Sequence, residues 1–482
     1  MQRPTTFETA EARADFSRAK RLLAHARRTS FWLDDLGETE AHPPLAGDTT
    51  TDLLVVGGGY NGLWAALRSK ERYPDREVVL IEAKRLGWAA SGRNGGFCEP
   101  SLTHGRANAA IHVPGEEAIL AELGEKNLAD LLATLERYGI ECDVRPHGVI
   151  KLATEPHQVP ALEALAASDS SVRVLRGPEL QAQVRTAAAE VGGWATEEGV
   201  VLNPARLVRG LAEACRSLGV RFYEDTPATG LRSLGRDAGV EVTTPRASIR
   251  ARHVALATNG FPSLLRSTRL HTVPVYDYAV VTDPLTAEQR ASLGWDLEQG
   301  VTDMNNRFHY MRLLTDADGR ERLLLGGYDA LYHFGRRVRP EYDVSESTFE
   351  RLTVHLETLF PQLMGVQYSH AWGGMIDTCS RFFAFFTRAH HGQVVAAAGF
   401  TGLGVAATRF AADVMLDLLH GESTERTRTS LVRKRPMPFP PEPFAWPAIR
   451  FTSAMMARSD RRGGKSGAWL WLLEKLKLGF DS

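Results

Sequence analysis

Three glycines and one acid carry the first chemical signal in the chain. The run Val55-Val56-Gly57-Gly58-Gly59-Tyr60-Asn61-Gly62 has the spacing G-x-G-x-x-G, and Glu82 follows Gly62 by 20 residues. In this pattern the first glycine permits a tight turn, the second lets backbone approach a pyrophosphate, and the third lets a helix close on its strand. Tyr60 and Asn61 fall where that helix begins, and the unpaired N–H groups of a helix start attract phosphate. Glu82, with Ala83 beside it, would accept hydrogen bonds from ribose hydroxyls. The motif carries weight only between a strand and a helix. Residues 51–56 are an apolar run, 63–68 have helical composition, and 76–82 read as a second strand in which Val78, Val79, Leu80 and Ile81 are uninterrupted. Such a run suits a parallel strand covered on both faces, so a βαβ dinucleotide-binding unit is expected.

Two further glycine-rich segments separate a flavin from a nicotinamide. In Ala90-Ser91-Gly92-Arg93-Asn94-Gly95-Gly96, small residues let a flat ring system lie against the backbone. Residues 394–398 read as a strand leading into Gly399-Phe400-Thr401-Gly402-Leu403-Gly404, with a helical pattern over 405–419. A helix starting at that turn points its positive end at the edge of a reduced flavin, where negative charge develops. Ala228, Ala257, Thr258 and Gly373 complete the candidate cofactor contacts.

In order and spacing, these motifs together with Trp372-Gly373-Gly374 and Ser380-Arg381 resemble the D-amino-acid oxidase or sarcosine oxidase superfamily, in particular the branch similar to gamma-glutamylputrescine oxidase. The resemblance runs from about residue 52 to about residue 420. It implies an α/β fold: a discontinuous Rossmann-like FAD domain, placed at 51–110, 192–265 and 370–425, and an α+β substrate domain with a mixed sheet at 111–191 and 266–369. It also implies non-covalent FAD, a small amine or amino-acid substrate, and oxygen or another electron acceptor. The expected reaction takes hydride from a carbon next to nitrogen and leaves an imine to hydrolyse. A flavin monooxygenase or dehydrogenase of a specialised pathway, an NAD-linked enzyme and a protein with a structural flavin are the competing readings.

Substrate contacts are sought in Asn306-Arg307-Phe308-His309-Tyr310-Met311-Arg312, which as a strand sets Phe308, Tyr310 and Arg312 on one face and His309 and Met311 on the other. Tyr310 and Arg312 are the candidates, for aromatic packing and for anion or hydrogen-bond recognition. Arg93, inside its glycine-rich segment, is expected on the flavin side. Two departures from the sarcosine oxidase pattern weaken an amino-acid carboxylate as the substrate handle and fast reaction with oxygen. Leu323-Leu324-Leu325-Gly326-Gly327-Tyr328 and Val405-Ala406-Ala407 both lack the lysine that the resemblance would place there. Cys379 lies several residues past the place for a flavin thioether, and His390 and His391 beside Gly392 read as a turn.

Around this machinery the chain is ordinary in composition. Its 57 basic residues nearly cancel its 58 acidic ones, so no global field attracts nucleic acid. Cys98, Cys142, Cys215 and Cys379 form no CxxC pair or disulfide-like framework, which favours a reducing, cytoplasmic setting. No apolar stretch of membrane-spanning length is present. Ahead of the core lies an extension (1–50) in which residues 8–28 suit one exposed or docking helix. Behind it (426–482) come six prolines in 436–447, which should drape as irregular chain. Last comes a short helix with Trp469, Leu472, Leu473 and Leu476 on one face, expected to dock on the protein, with membrane attachment as the other reading.

Overall fold

The computed structural model describes residues 3–195 and 199–478. The βαβ unit forms as the apolar runs require: strand β1 (Thr49–Val56), helix α4 (Tyr60–Arg72) and strand β2 (Val78–Ile81), after three short N-terminal helices, α1 (Thr6–Glu11), α2 (Phe16–Leu22) and α3 (Phe31–Leu36). Leu53 to Val56 and Val78 to Ile81 are all buried, because helices cover one face of their sheet and a β-meander the other. The strand order in that sheet is Phe385–Ala389, Val394–Ala398, Ser248–Leu256, β1, β2, Arg221–Tyr223. The last five run parallel, with β1 between Ser248–Leu256 and β2. Helices α4, Pro204–Ser217 and Gly404–His420 bury their apolar faces together on it.

Two of these helices are also locked by charge. Arg68 reaches Asp413 at 2.9 Å, and Arg72 reaches Asp413 and Asp417 at 2.6 and 2.7 Å. Burial alone would raise the Asp413 carboxyl, but Arg68, Arg72, Arg426 and Arg409 outweigh it and hold it below its ordinary value. The starts of the two helices, which open the first and last glycine turns, are thereby held in register.

The second sheet has nine strands, with Thr272–Thr282, Glu321–Gly327 and His309–Thr315 at its centre. Its apolar side packs on helix Glu346–Leu359. Val191–Ala195 and Tyr368–Cys379 are also strands of this sheet. Residues 192–195 and 370–379 therefore sit with the substrate domain, not with the cofactor domain where the sequence reading placed them. The cause is a long-range register: Tyr368–Cys379 pairs with Thr272–Thr282 along its length, setting Gly374 opposite Asp277.

Both extensions differ from expectation. In place of one helix over 8–28 there are α1 and α2, because the chain restarts at Asp15, whose side chain caps α2 by accepting from the Arg18 N–H. Phe7 of α1 and Phe31 and Trp32 of α3 are buried. Trp32 shares a cluster with Ala205 of the first domain and Ala279, Val281 and Trp372 of the second sheet, so α3 fills the seam. In the tail, helix Ala445–Asp460 starts inside the proline-rich stretch, with Pro447 in its first turn, where a missing N–H costs nothing. A second helix, Ala468–Lys475, follows. Its Leu473 is buried while Leu472 and Leu476 face solvent, so the expected single docking face is divided. Among the described residues no helix is long and apolar enough to cross a membrane.

Candidate functional site

Gly57 turns the chain with φ +111°, and a Cβ there would meet the Ala257 carbonyl oxygen at 2.5 Å. At Gly62 the approach is closer: a Cβ would lie 1.8 Å from the Gly57 oxygen, so any side chain would push α4 off β1. Gly59 leaves room only for Ser91, whose hydroxyl accepts from the Tyr60 N–H at 2.9 Å. Tyr60 itself is buried with its hydroxyl on the Pro204 carbonyl, and the Asn61 amide points at Met415. Neither side chain is aimed at the turn, and what the helix start offers there is backbone N–H of the first turn, unpartnered within the helix. Glu82 directly follows β2 beside this turn. Its carboxylate accepts from the Gly58 N–H at 2.7 Å, the Lys84 N–H at 3.0 Å and the Trp88 indole at 2.9 Å. About four acceptor positions exist on a carboxylate, so capacity for a ligand hydroxyl remains. Ala83 is exposed, Ala228 packs in a partly buried position, and Ala257 binds Val56 through its N–H at 2.8 Å with Thr258 next to it.

The segment 91–96 is held from behind by residues distant in sequence. Ser30 donates to the Gly92 carbonyl at 2.6 Å, Trp32 to the Asn94 carbonyl at 2.9 Å and Trp372 to the Arg93 carbonyl at 2.9 Å. Asn94 closes the turn on itself by accepting from the Gly96 N–H at 2.9 Å. Arg93 is committed to protein: its guanidinium donates to Asp343 at 2.6 Å, to the Gly373 carbonyl at 3.1 Å and to the Trp88 carbonyl at 2.9 Å. The final turn, 399–404, is built on Asp377, which the sequence reading overlooked. Asp377 accepts from the N–H groups of Gly399 and Phe400, and the Asn259 amide nitrogen faces its two oxygens at 2.6 and 2.7 Å. Burial pushes this carboxyl up to about 7. Thr401 points inward, donating to the Gly399 carbonyl at 3.0 Å, while Gly402 is exposed and a Cβ on Gly404 would meet nothing within 4 Å. Leu403 caps the helix that follows. Cys379 is buried behind the turn, its thiol directed at the Phe383 carbonyl at 3.2 Å.

Above the 91–96 segment lies the second sheet. Tyr310 crosses Gly95 and Gly326 so closely that a Cβ on either would meet its ring at 2.6 and 2.3 Å. Its hydroxyl donates to Asp277 at 2.7 Å, and burial pushes Asp277 up to about 6 and the phenol well above its ordinary range. The alternation expected along this strand holds: His309 and Met311 enter the core on the opposite face. Arg312 differs from its expected role. It is fully buried behind Gly96, donating to the Leu202 carbonyl at 2.6 Å and to the Leu313 carbonyl at 3.2 Å, with its guanidinium 5.4 Å from the Trp32 ring. Burial pushes it down to about 10, so it stays charged at neutral pH as a brace for backbone rather than a substrate contact. The alternation gives its face but not the layer already filling that face.

Three glycine turns thus converge beneath a sheet carrying a phenol and a carboxylate, with backbone rather than side chains lining the turns. A match to the family model DAO, FAD dependent oxidoreductase, extends over residues 52–418. The chain belongs to this FAD-dependent oxidoreductase family. The flavoenzyme is 29% identical over 412 residues to "Gamma-glutamylputrescine oxidoreductase" of Escherichia coli, covering 82% of this chain and 89% of that protein. It is 27% identical over 414 residues to "Probable oxidoreductase OrdL" of Haemophilus influenzae, covering 82% and 88%. Its fold matches the crystal structure of glycine oxidase from Geobacillus kaustophilus with a TM-score of 0.63 at 21% identity, covering 78% of this chain and 96% of that one. The side-chain-free approaches at Gly57, Gly59 and Gly62, the spare capacity of Glu82 and the open space at Gly402 and Gly404 fit the dinucleotide and ring of FAD.

Proposed function

We propose that this FAD-dependent enzyme oxidises the C–N bond of an amine to an imine, and that its substrate is held through nitrogen rather than through an α-carboxylate. The observation that carries this reading is Asp277. It stands in the roof opposite Gly374, hydrogen-bonded to Tyr310 across the 91–96 segment, and both residues are only partly buried. The two cations on or beside that segment, Arg93 and Arg312, are both engaged with protein groups. A carboxyl at about 6 is ionised at neutral pH and basic enough to take a proton from a substrate ammonium, leaving the neutral amine that oxidation requires. Tyr310 donates to one Asp277 oxygen, which orients the other. FAD, when bound, supplies the acceptor for the hydride removed from the carbon next to nitrogen. The resulting imine is hydrolysed by water to a carbonyl compound and the released amine. The name of the Escherichia coli relative, "Gamma-glutamylputrescine oxidoreductase", supports an amine as the substrate class.

The test is anaerobic bleaching of the flavin absorbance by a panel of primary amines, secondary amines, polyamines and α-amino acids. Bleaching by amines that lack an α-carboxylate is the expected result. Bleaching by α-amino acids alone would overturn the reading.

A further inference from the structure

Charge balance over the whole chain conceals a local excess. Residues 434–478 carry nine Lys and Arg against three Asp and Glu, while the chain as a whole is at −1. Two of the three acids are spent on anchoring this segment. Glu442 accepts from the Tyr332 hydroxyl at 2.6 Å, and Asp460 is buried, accepting from the Asn306 amide at 2.7 Å. The helices Ala445–Asp460 and Ala468–Lys475 are pinned to each other by Phe451 edge-on to Trp469 at 5.2 Å and by the Trp469 indole donating to Thr452 at 3.0 Å.

What they turn outward is bulky and apolar. Phe444 is 67% exposed, Trp446 39%, Phe451 47%, Trp471 52%, Leu472 41% and Leu476 48%. Single exposed apolar side chains are normal on a protein surface, but six within 33 residues, on or flanking two helices pinned to each other, are a concentration that marks an interaction site. Cations stand directly beside the indoles: Arg450 lies 5.8 Å from the Trp446 ring and Lys475 4.8 Å from the Trp471 ring. Arg458 and Lys465 are exposed nearby. A second copy of this chain would bring the same positive charge to the contact, which opposes self-association. Indole rings with adjacent long cationic side chains match the interfacial zone of a bilayer, where rings sit at headgroup level and cations reach phosphate.

We propose that the C-terminal helix pair docks the enzyme on the surface of a bilayer containing anionic phospholipid, with the aromatic side chains entering the headgroup region and Arg450, Arg458, Lys465 and Lys475 meeting lipid phosphates. This attachment is peripheral and independent of which amine is oxidised.

The experiment is co-sedimentation of the full-length, FAD-loaded enzyme with vesicles of phosphatidylglycerol and phosphatidylcholine, compared with phosphatidylcholine alone. Binding to the anionic vesicles is expected. It should weaken steeply from about 0.1 M to about 1 M salt, as the screening length falls from about 10 Å to about 3 Å. Arg450→Glu with Arg458→Glu should weaken it by about thirtyfold or more, since each basic residue near an anionic surface contributes about fivefold. Trp446→Ala with Trp471→Ala should weaken it too, with flavin absorbance, thermal stability and turnover unchanged in both variants. Absence of sedimentation with anionic vesicles at low salt would overturn the proposal, as would binding that both variants leave intact. A protein that ignores vesicles but dimerises through this face, shown by light scattering sensitive to the same substitutions, would assign the face to a second copy.

Discussion

The first and second glycine turns hold their shape by opposite means. The turn at 57–62 is held mostly within its own βαβ unit: Gly62 abuts the Gly57 oxygen and Glu82, just past the very next strand, accepts from the Gly58 N–H, with Ser91 and the Ala257 carbonyl closing it from outside. The segment at 91–96 has local bonds of its own, from Asn94 to Ala90, Ser91 and Gly96, but three of its carbonyls are also held from afar, by Ser30 and Trp32 of the N-terminal extension and Trp372 of the second sheet. One site is a property of a supersecondary unit. The other is a property of the assembled molecule, so it can be disturbed from far away and inherits any motion between the two domains. The proposed roles fit this difference: a turn proposed for phosphate needs only fixed backbone, whereas a segment proposed for the flavin ring has to be positioned against the sheet above it.

Gly62→Val should break the first turn most severely. With the new Cβ 1.8 Å from the Gly57 oxygen, overpacking should cost about 3 kcal/mol or more, and the purified protein should carry no flavin absorbance. Full flavin content in that variant would remove the turn from the cofactor site. Trp32→Ala attacks the second segment from outside: a buried aromatic is lost from the seam, with an expected destabilisation of about 3–5 kcal/mol by thermal denaturation and faster flavin release. Trp32→Phe sharpens the comparison, because it keeps a ring and loses the donor to Asn94, for which about 1 kcal/mol is expected.

Asp277→Asn should leave folding and flavin content near normal and lower kcat/KM by about ten- to a hundredfold, the range of a positioned proton acceptor. In the unaltered enzyme kcat/KM should rise with pH through about 6 as Asp277 ionises, and that limb should vanish in the variant. A pH profile identical in both proteins would exclude the proton role.

The smallest effect is expected where α1 meets the second sheet. There a hydrogen-bonded chain runs from Asp303 through His309 at 2.6 Å and His355 at 2.9 Å to Glu11 at 3.1 Å. Burial pushes His355 down to about 4 from 6.5. Burial alone would raise Glu11, but its hydrogen bond with His355 leads the interactions that bring it down to about 2 from 4.5. Both values are depressed in the folded protein, so the unfolded chain binds protons that the folded chain does not. Stability from His355 is lost as pH falls from about 6.5 towards 4, and that from Glu11 as pH falls from about 4.5 towards 2. Thermal denaturation between pH 7 and pH 4 should therefore show a steeper decline in the unaltered protein than in His355→Phe.

What the sequence disclosed follows the same division. The strand and helix of the first turn were legible because apolar runs and glycine spacing are local, and the observed β1, α4 and β2 differ from the expected spans only at their ends. The split between α1 and α2 was also written locally, in Asp15 three residues before Arg18, a capping signal obscured by surrounding helix-forming residues. Asp377 and Asp277 were not legible. Each is a single acid within a strand, and its meaning comes from a partner 22 or 33 residues away that no periodicity announces. Arg312 shows the converse, with a face correctly read from alternation and a partner, the Leu202 carbonyl, supplied 110 residues away.

The threading of the first sheet also constrains biosynthesis. β1 is made early but lies between β2 and Ser248–Leu256, which in turn lies beside Val394–Ala398. On the ribosome Gly239–Thr243 covers the outer side of Ser248–Ala251 early, but Val254–Leu256 stays an open parallel edge until residues near 398 appear, and the last glycine turn follows only then. With the 399–404 turn as part of the proposed flavin site, flavin capture falls among the last events of synthesis, and a chain interrupted before about residue 400 leaves the Val254–Leu256 edge unpaired.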